Sequence, residues 1–152
     1  MRFVTIIGLL IVALIGGATS TSAVNDVWEK SQPFTENVTR EDGTTSLAQF
    51  VGEKGEFGME LSAGDVELVN ATPTMKAHEI VTVDWNTWSA SVGTDVDKVV
   101  GLSQETGEKV TLLMDDNLDG SSRMVLPEQG LWKLFIYING EKAGDIVVNA
   151  TE

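Results

Sequence analysis

Short runs of alternating apolar and polar residues dominate this 152-residue chain from residue 47 onward. In one of them Phe57, Met59 and Leu61 are separated by single residues, and this period of two predicts a strand with one buried face. Similar or β-branched runs predict further strands at residues 66–70, 78–88, 98–103, 109–114, 130–137 and 144–148. After the first 23 residues the only helical feature that we expect is a single turn at 46–50.

The C-terminal pattern predicts a β-hairpin. Trp132, Leu134 and Ile136 occupy alternate positions, so their side chains should share one face of a strand. The pair Asn139-Gly140 follows, and both residues tolerate positive φ, as a two-residue hairpin turn requires. Residues 144–148 then return as the partner strand.

The number and spacing of these strands indicate the fold class. About seven short strands in about 100 residues are typical of an all-β, immunoglobulin-like two-sheet sandwich. A small barrel is the alternative. We expect the sandwich to span residues 47–152, and the mostly polar residues 24–46 to form an extended leader with at most one short edge strand.

The N-terminal residues 1–23 have the layout of a cleavable signal peptide. Met1-Arg2 is positively charged, Phe3–Ile15 is an almost uninterrupted apolar run, and small residues follow as far as residue 23. The apolar run is shorter than the ~20 residues that a membrane-spanning helix needs. We therefore expect a secreted or cell-surface protein with no membrane insertion after cleavage. An uncleaved N-terminal anchor is the alternative.

Charge and cysteine content narrow the classes of partner. The chain has 23 acidic and 10 basic residues, a net charge of −13, which disfavours nucleic acid and anionic membrane surfaces as partners. The charge is interpreted first as a solubility feature, with attraction of cations or basic partners as the second interpretation. Because there is no cysteine, the fold must rest on hydrophobic burial without disulfides.

One loop has the ligand spacing of a calcium site. Asp115, Asn117 and Asp119 precede Gly120 at the positions of D-x-[DN]-x-[DN]-G, where hard oxygen ligands converge on one cation. The twelfth position of an EF-hand loop should be glutamate but is Leu126, so a complete EF-hand is excluded. A looser calcium site and an ordinary surface loop remain the two interpretations.

Tryptophan provides the other candidate site. Trp85 and Trp88 are three residues apart on a predicted strand, so they should point to opposite faces. Trp88 lies at the strand end beside a polar loop and is the candidate ligand-binding residue, whereas Trp132 is expected to be structural.

No catalytic motif is present. The chain lacks a G-x-S-x-G elbow, an H-E-x-x-H pair, a P-loop and a G-x-G-x-x-G turn. Its one histidine, His78, has Met75 nearby, a combination that suits copper, but we interpret it as a strand-edge residue that faces water. The sequence therefore predicts no enzyme and no cofactor other than the calcium discussed above.

Three stretches, at 51–58, 99–110 and 124–148, together resemble Ig-like domains of unknown function in secreted proteins and lipoproteins of Gram-positive bacteria. The resemblance implies a fold and an extracellular location but no active site. Family members with lipid anchors attach through a cysteine, which this chain lacks.

These observations predict an exported, non-catalytic binding or interaction module of the bacterial cell envelope. Its partner would be a protein or a cell-wall component, held by loops at one end of the sandwich. The alternatives are a calcium-assisted binder of carbohydrate or protein, a proteinase inhibitor and a hydrolase with an unrecognised site.

Overall fold

The computed structural model describes residues 27–61, 64–88, 96–113 and 120–152, and these parts of the chain form strands and no helix. The strands are β1 (Phe34–Thr39), β2 (Thr45–Glu53), β3 (Phe57–Leu61), β4 (Glu67–Val69), β5 (Thr72–Lys76), β6 (Val81–Thr87), β7 (Val96–Ser103), β8 (Lys109–Thr111), β9 (Ser121–Met124), β10 (Gly130–Ile138) and β11 (Glu141–Thr151). The predicted signal peptide lies outside the described residues.

The strands form two sheets. One has the order β1-β2-β3-β6-β9 and the other the order β4-β5-β11-β10-β7-β8. Neighbouring strands are antiparallel except for β5 and β11, which are parallel. The sheets pack as a sandwich, so the predicted all-β, immunoglobulin-like class is confirmed. Residues 34–39 of the predicted leader form the edge strand β1 of the five-stranded sheet.

Apolar side chains of both sheets meet between the layers. Phe57 and Met59 on β3, and Trp132, Leu134 and Ile136 on β10, are all 0 % exposed. Burying one such side chain contributes about 1.5–3 kcal/mol, and in a chain without cysteine this burial is the main source of stability. Trp132 keeps its polar atom satisfied, since its Nε1 donates a hydrogen bond to the Glu128 carbonyl at 3.0 Å.

The predicted C-terminal hairpin is confirmed. Asn139 (φ 53°) and Gly140 (φ 77°) form the turn between β10 and β11 in the left-handed conformation that a two-residue hairpin turn requires. The return strand is longer than the predicted 144–148 at both ends, because residues 141–142 pair with β10 and residues 149–151 pair with β5.

The prediction that 57–61 has one exposed face is wrong, since all five residues of β3 are buried. Phe50 covers Gly58 on the face that points away from the core, and a Cβ at that glycine would lie 2.9 Å from the Cβ of Phe50. Glu60 is shielded beside Arg40, whose guanidinium lies 2.7 Å from its carboxylate. Phe50 belongs to β2 and Arg40 directly follows β1, and a period of two within β3 reveals neither cover.

One local prediction is wrong, and another misses a following strand. The helical turn expected at 46–50 is wrong because these residues belong to β2, where all five pair with β1 and residues 49–50 also pair with β3. The single strand expected at 66–70 is followed by a second strand, β5, since Asn70 (φ 50°) and Ala71 (φ 59°) form a tight turn. Alanine rarely adopts positive φ, so the sequence carries no clear signal for this turn.

Gly101 on β7 provides a test of core packing. A Cβ at this position would lie 2.8 Å from Leu112 Cδ1 and 3.0 Å from Trp132 Cε3, both in the core. We expect Gly101→Ala to lower the free energy of unfolding by about 1–3 kcal/mol, measured by urea denaturation. Thr111→Ser, at an exposed position on the neighbouring strand β8, should change it by no more than about 0.5 kcal/mol. Equal stability of the two variants would contradict this packing.

A side-chain hydrogen bond closes the turn between β1 and β2. The Asp42 carboxylate accepts hydrogen bonds from the Thr44 hydroxyl at 2.6 Å and from the Thr44 backbone N–H at 2.9 Å. The hydroxyl contact, followed by the backbone one, holds the pKa of Asp42 below its ordinary value. Because the pKa is lower in the folded state, the resulting stability is present above the ordinary pKa and lost as pH falls through the folded-state pKa.

Thr44→Val should therefore raise the pKa of Asp42 toward its ordinary value, as measured by NMR titration of the carboxyl carbon. The remaining backbone hydrogen bond should keep the pKa slightly depressed. Thr45→Val serves as the control, because Thr45 bonds Thr39 rather than Asp42. An Asp42 pKa that is the same in the Thr44→Val variant and in the unaltered protein would show that the hydroxyl is not its cause.

Candidate binding surface

The face of the six-stranded sheet that points away from the core carries lysines and aromatic rings. On β10 the residues Lys133, Phe135 and Tyr137 alternate with the buried Trp132 and Leu134, so they point outward. All three outward side chains are half-buried, so each is partly accessible to solvent. Alternate side chains of β10 therefore fill the core, and the side chains between them lie on the outer face of the sheet.

Strand register extends this face into three rows across the sheet. The first row consists of Lys109, Leu102, Lys133 and Val147, the second of Thr111, Val100, Phe135 and Asp145, and the third of Lys98, Tyr137 and Lys142. Phe135 thus occupies the middle row, and two lysines stand in the row on either side of it. We call the group Lys98, Lys109, Lys133, Lys142, Phe135 and Tyr137 the lysine face.

Every lysine of this face lies over an aromatic ring. Lys109 Nζ and Lys142 Nζ are 5.9 and 4.5 Å from the centre of the Phe135 ring. Lys98 Nζ is 5.1 Å from the Tyr137 ring centre. Such contacts are worth about 0.5–1 kcal/mol at exposed sites, so they orient the ammonium groups while water or a ligand can still reach them.

The segment before β1 borders the lysine face. Lys133 Nζ lies 4.9 Å from the centre of the Trp28 ring, and the Ser31 hydroxyl oxygen accepts a hydrogen bond from the Val147 backbone N–H at 3.0 Å. This hydrogen bond reaches β11 at Val147, which belongs to the first row because it pairs with Lys133. These two contacts hold residues 28–31 along one side of the face.

The lysine face concentrates positive charge in an acidic protein. It contains four of the ten basic residues of the chain, against 23 acidic residues overall. Within its rows the one described carboxylate is Asp145, which lies 3.7 Å from Lys142 Nζ. Lys98, Lys109 and Lys133 have no described carboxylate within 4.0 Å. Their ammonium groups can therefore accept an anion without first breaking an ion pair.

Sequence analysis missed this surface, although part of its signal is visible. The alternation in 131–137 predicts which side chains of this strand are buried. It does not by itself mark the intervening Lys133, Phe135 and Tyr137 as a binding site. Lys98, Lys109 and Lys142 join them only through the pairing of β10 with its neighbours, which a single sequence does not specify. The information that the sequence lacks is the pairing register between these neighbouring strands.

Trp88 lies on the outward face of the other sheet, in an aromatic cluster. Its ring centre is 5.0 Å from that of Phe50 and 5.8 Å from that of Phe34. Trp85 instead lies in the core, with its Nε1 donating to the Ser122 hydroxyl at 3.0 Å. The two side chains thus have different surroundings, as the spacing predicts. Trp88 is half-buried, and its role in ligand binding stays a prediction.

The candidate calcium ligands Asp115, Asn117 and Asp119 lie outside the described residues. Across the described ranges no three His, Asp or Glu side chains are grouped so that they could hold a metal ion. His78 is exposed, as expected, and its backbone N–H donates to the Leu126 carbonyl at 2.9 Å. In the same ranges there is no helix of the length and hydrophobicity needed to cross a bilayer.

A double-mutant cycle tests whether Trp88 is a structural cover for Phe50. Phe50 is 0 % exposed although it lies outside the main core cluster, so we expect Phe50→Ala to cost about 3–5 kcal/mol. Trp88→Ala should cost less, and the coupling energy between the two should be about 0.5–1.5 kcal/mol. Leu47→Ala is the control, because Leu47 on β2 is 69 % exposed and should change stability by at most about 0.5 kcal/mol. If Trp88→Ala leaves the free energy of unfolding unchanged, Trp88 is not a structural cover and is available to contact a ligand.

Comparison with known proteins supports the fold. No protein-family model and no curated protein matches the chain. Among solved structures, the chain is similar to the crystal structure of a "putative lipoprotein" from Bacillus anthracis, with 18 % sequence identity and a TM-score of 0.53. The similarity covers 82 % of this chain and 86 % of that chain. At this identity the likeness establishes a shared fold.

Proposed function

We propose that this protein is an exported, non-catalytic binding module of the bacterial cell envelope, and that it holds an anionic partner on the lysine face. The predicted signal peptide at 1–23 supports export. The shared fold with the Bacillus anthracis protein, described as a lipoprotein, supports a place in the envelope. The four positively charged lysines of the lysine face support a negatively charged partner.

The observation that carries this proposal is the segregation of charge. A protein with a net charge of −13 gains solubility from acidic residues anywhere on its surface, but solubility does not require four lysines on one sheet face. A structural alternative is that the lysine stems shield Phe135 and Tyr137 from water. That alternative explains one lysine for each ring, whereas Phe135 is flanked by two.

The acidic remainder of the surface does not cancel this local attraction. At physiological ionic strength the Debye length is about 8 Å, so exposed charges beyond that distance are largely screened. An anion at Phe135 would meet Lys109 Nζ and Lys142 Nζ within 5.9 Å of the ring centre. The acidic surface would instead affect the approach of the anion, because it repels anions that come from any other direction.

The absence of catalysis is part of the proposal. The lysine face consists of ammonium groups and aromatic rings, with the Asp145 carboxylate paired to Lys142, and the chain carries no catalytic motif to place beside them. Binding on a sheet face also differs from the loop-based binding that the sequence suggested. A protein or cell-wall partner is compatible with both.

Retention on protein-free bacterial envelope fragments tests the proposal. We expect Lys98→Gln/Lys109→Gln to reduce retention about thirtyfold, since each lysine near an anionic surface contributes about 1 kcal/mol. Raising the salt concentration should weaken retention of the unaltered protein and have a smaller effect on this variant.

The matched control is Lys54→Gln/Lys76→Gln, which removes the same charge away from the lysine face. Lys54 lies 4.0 Å from Glu36, and Lys76 donates to the Glu152 carbonyl, both outside the three rows. This control should be retained like the unaltered protein. Equal loss in both variants would reject the lysine face as the binding surface, and thermal melting of both would exclude unfolding as the cause.

A further inference from the structure

Residues 28–31, which we call the strap, cross the outer face of β11 beside the lysine face. At one end the Ser31 hydroxyl oxygen accepts a hydrogen bond from the Val147 N–H, and at the other the Trp28 ring lies against Lys133 Nζ. Val147 and Lys133 pair with each other on the adjacent strands β11 and β10. The chain between Ser31 and Trp28 therefore runs over the first row of the sheet face.

The burial of Val147 shows that this end of the first row is covered. Its side chain points to the outer face, because Ile146 and Val148, which flank it, belong to the core between the sheets. Val147 is nevertheless only 2 % exposed, and it is not part of that core cluster. We attribute its burial to the strap, which has a contact on either side of it. A partner that lies flat on the lysine face meets the strap at this point.

The strap is docked where the ladder between β5 and β11 ends. β5 pairs with residues 149–151 only, and the Ala77 N–H donates to the Thr151 carbonyl at 2.8 Å. By the same spacing, the carbonyl of Val147 would face the nitrogen of Pro73, which carries no hydrogen. The ladder therefore stops before Val147, and the N–H of this residue is left for the strap.

Few interactions hold the strap in place. None of the described backbone hydrogen bonds outside the strands involves residues 28–31, and Glu29 and Lys30 are exposed. A hydrogen bond between neutral groups and an exposed cation–π contact each change a docking equilibrium by no more than about tenfold. The following strand β1 is held separately by its ladder with β2. The strap can therefore undock without unfolding of either sheet.

We infer that the strap is an autoinhibitory element of the lysine face. When it is docked it covers the first row at Val147 and Lys133, and when it is undocked all three rows are open to the anionic partner. The apparent affinity of the partner is then lowered in proportion to the fraction of molecules that are undocked. By linkage, the bound partner favours undocking. This inference rests on the proposed function and adds its regulation.

Hydrogen exchange of single amides, followed by NMR, measures undocking without any partner. The N–H of Val147 faces the strap, whereas that of Ile146 faces β10, because successive N–H groups of a strand point to opposite sides. Trp28→Ala leaves the Ser31 hydrogen bond in place but weakens docking. The Val147 amide should therefore exchange about threefold faster, and the Ile146 amide at an unchanged rate. An unchanged rate at Val147, or an equal increase at both amides, would overturn local undocking.

Retention on protein-free envelope fragments measures the autoinhibition. Trp28→Ala/Ser31→Ala should be retained about tenfold more strongly than the unaltered protein, because both described contacts of the strap are lost. Gln32→Ala is the matched control, since this side chain reaches only the Lys30 carbonyl, at 3.3 Å, and it should change neither retention nor exchange. A strap that only supports the fold would leave the retention of the double variant unchanged or reduced, and either result would overturn the inference.

The Lys98→Gln/Lys109→Gln variant separates this inference from the proposed function. If its retention falls while loss of the strap contacts brings no gain, autoinhibition is wrong and the lysine face remains the binding surface. If its retention equals that of the unaltered protein, the proposed function fails, and autoinhibition fails with it.

Discussion

The register of β10 is the constraint on which both the core and the lysine face depend. Trp132 and its alternate neighbours fill the space between the sheets, and Phe135 lies at the centre of the outward rows. A shift of one residue would exchange the two sets, exposing the tryptophan and burying lysine. The Asn139-Gly140 turn fixes the pairing at one end, and the bond from Trp132 to the Glu128 carbonyl holds the strand near its other end.

This constraint makes the proposed binding surface rigid in its backbone and adjustable in its side chains. β10 has hydrogen-bonded neighbours on both sides, so the Cα positions of the rows are set by the sheet. The lysine side chains have many rotamers, and ring contacts of about 0.5–1 kcal/mol restrict them only weakly.

Periodicity was sufficient for the fold class and for the hairpin, because both depend on local residue types. The buried positions of β10 and the turn at Asn139-Gly140 follow directly from a period of two and from residues that accept positive φ. The full burial of β3 and the turn at Asn70-Ala71 could not be predicted, since the first depends on Phe50 from another strand and the second uses an alanine in an unfavourable conformation. The lysine face belongs to the same class of non-local features.

Net charge does not reveal this surface, because it averages over the whole molecule. The excess of acidic residues argues against binding of polyanions, yet four lysines from four different strands share one sheet face. In an acidic protein such a face has a directional effect, since a polyanion is repelled elsewhere and attracted at one sheet. An acidic protein with one basic sheet face therefore favours the approach of an anion to that face over its approach to the rest of the surface.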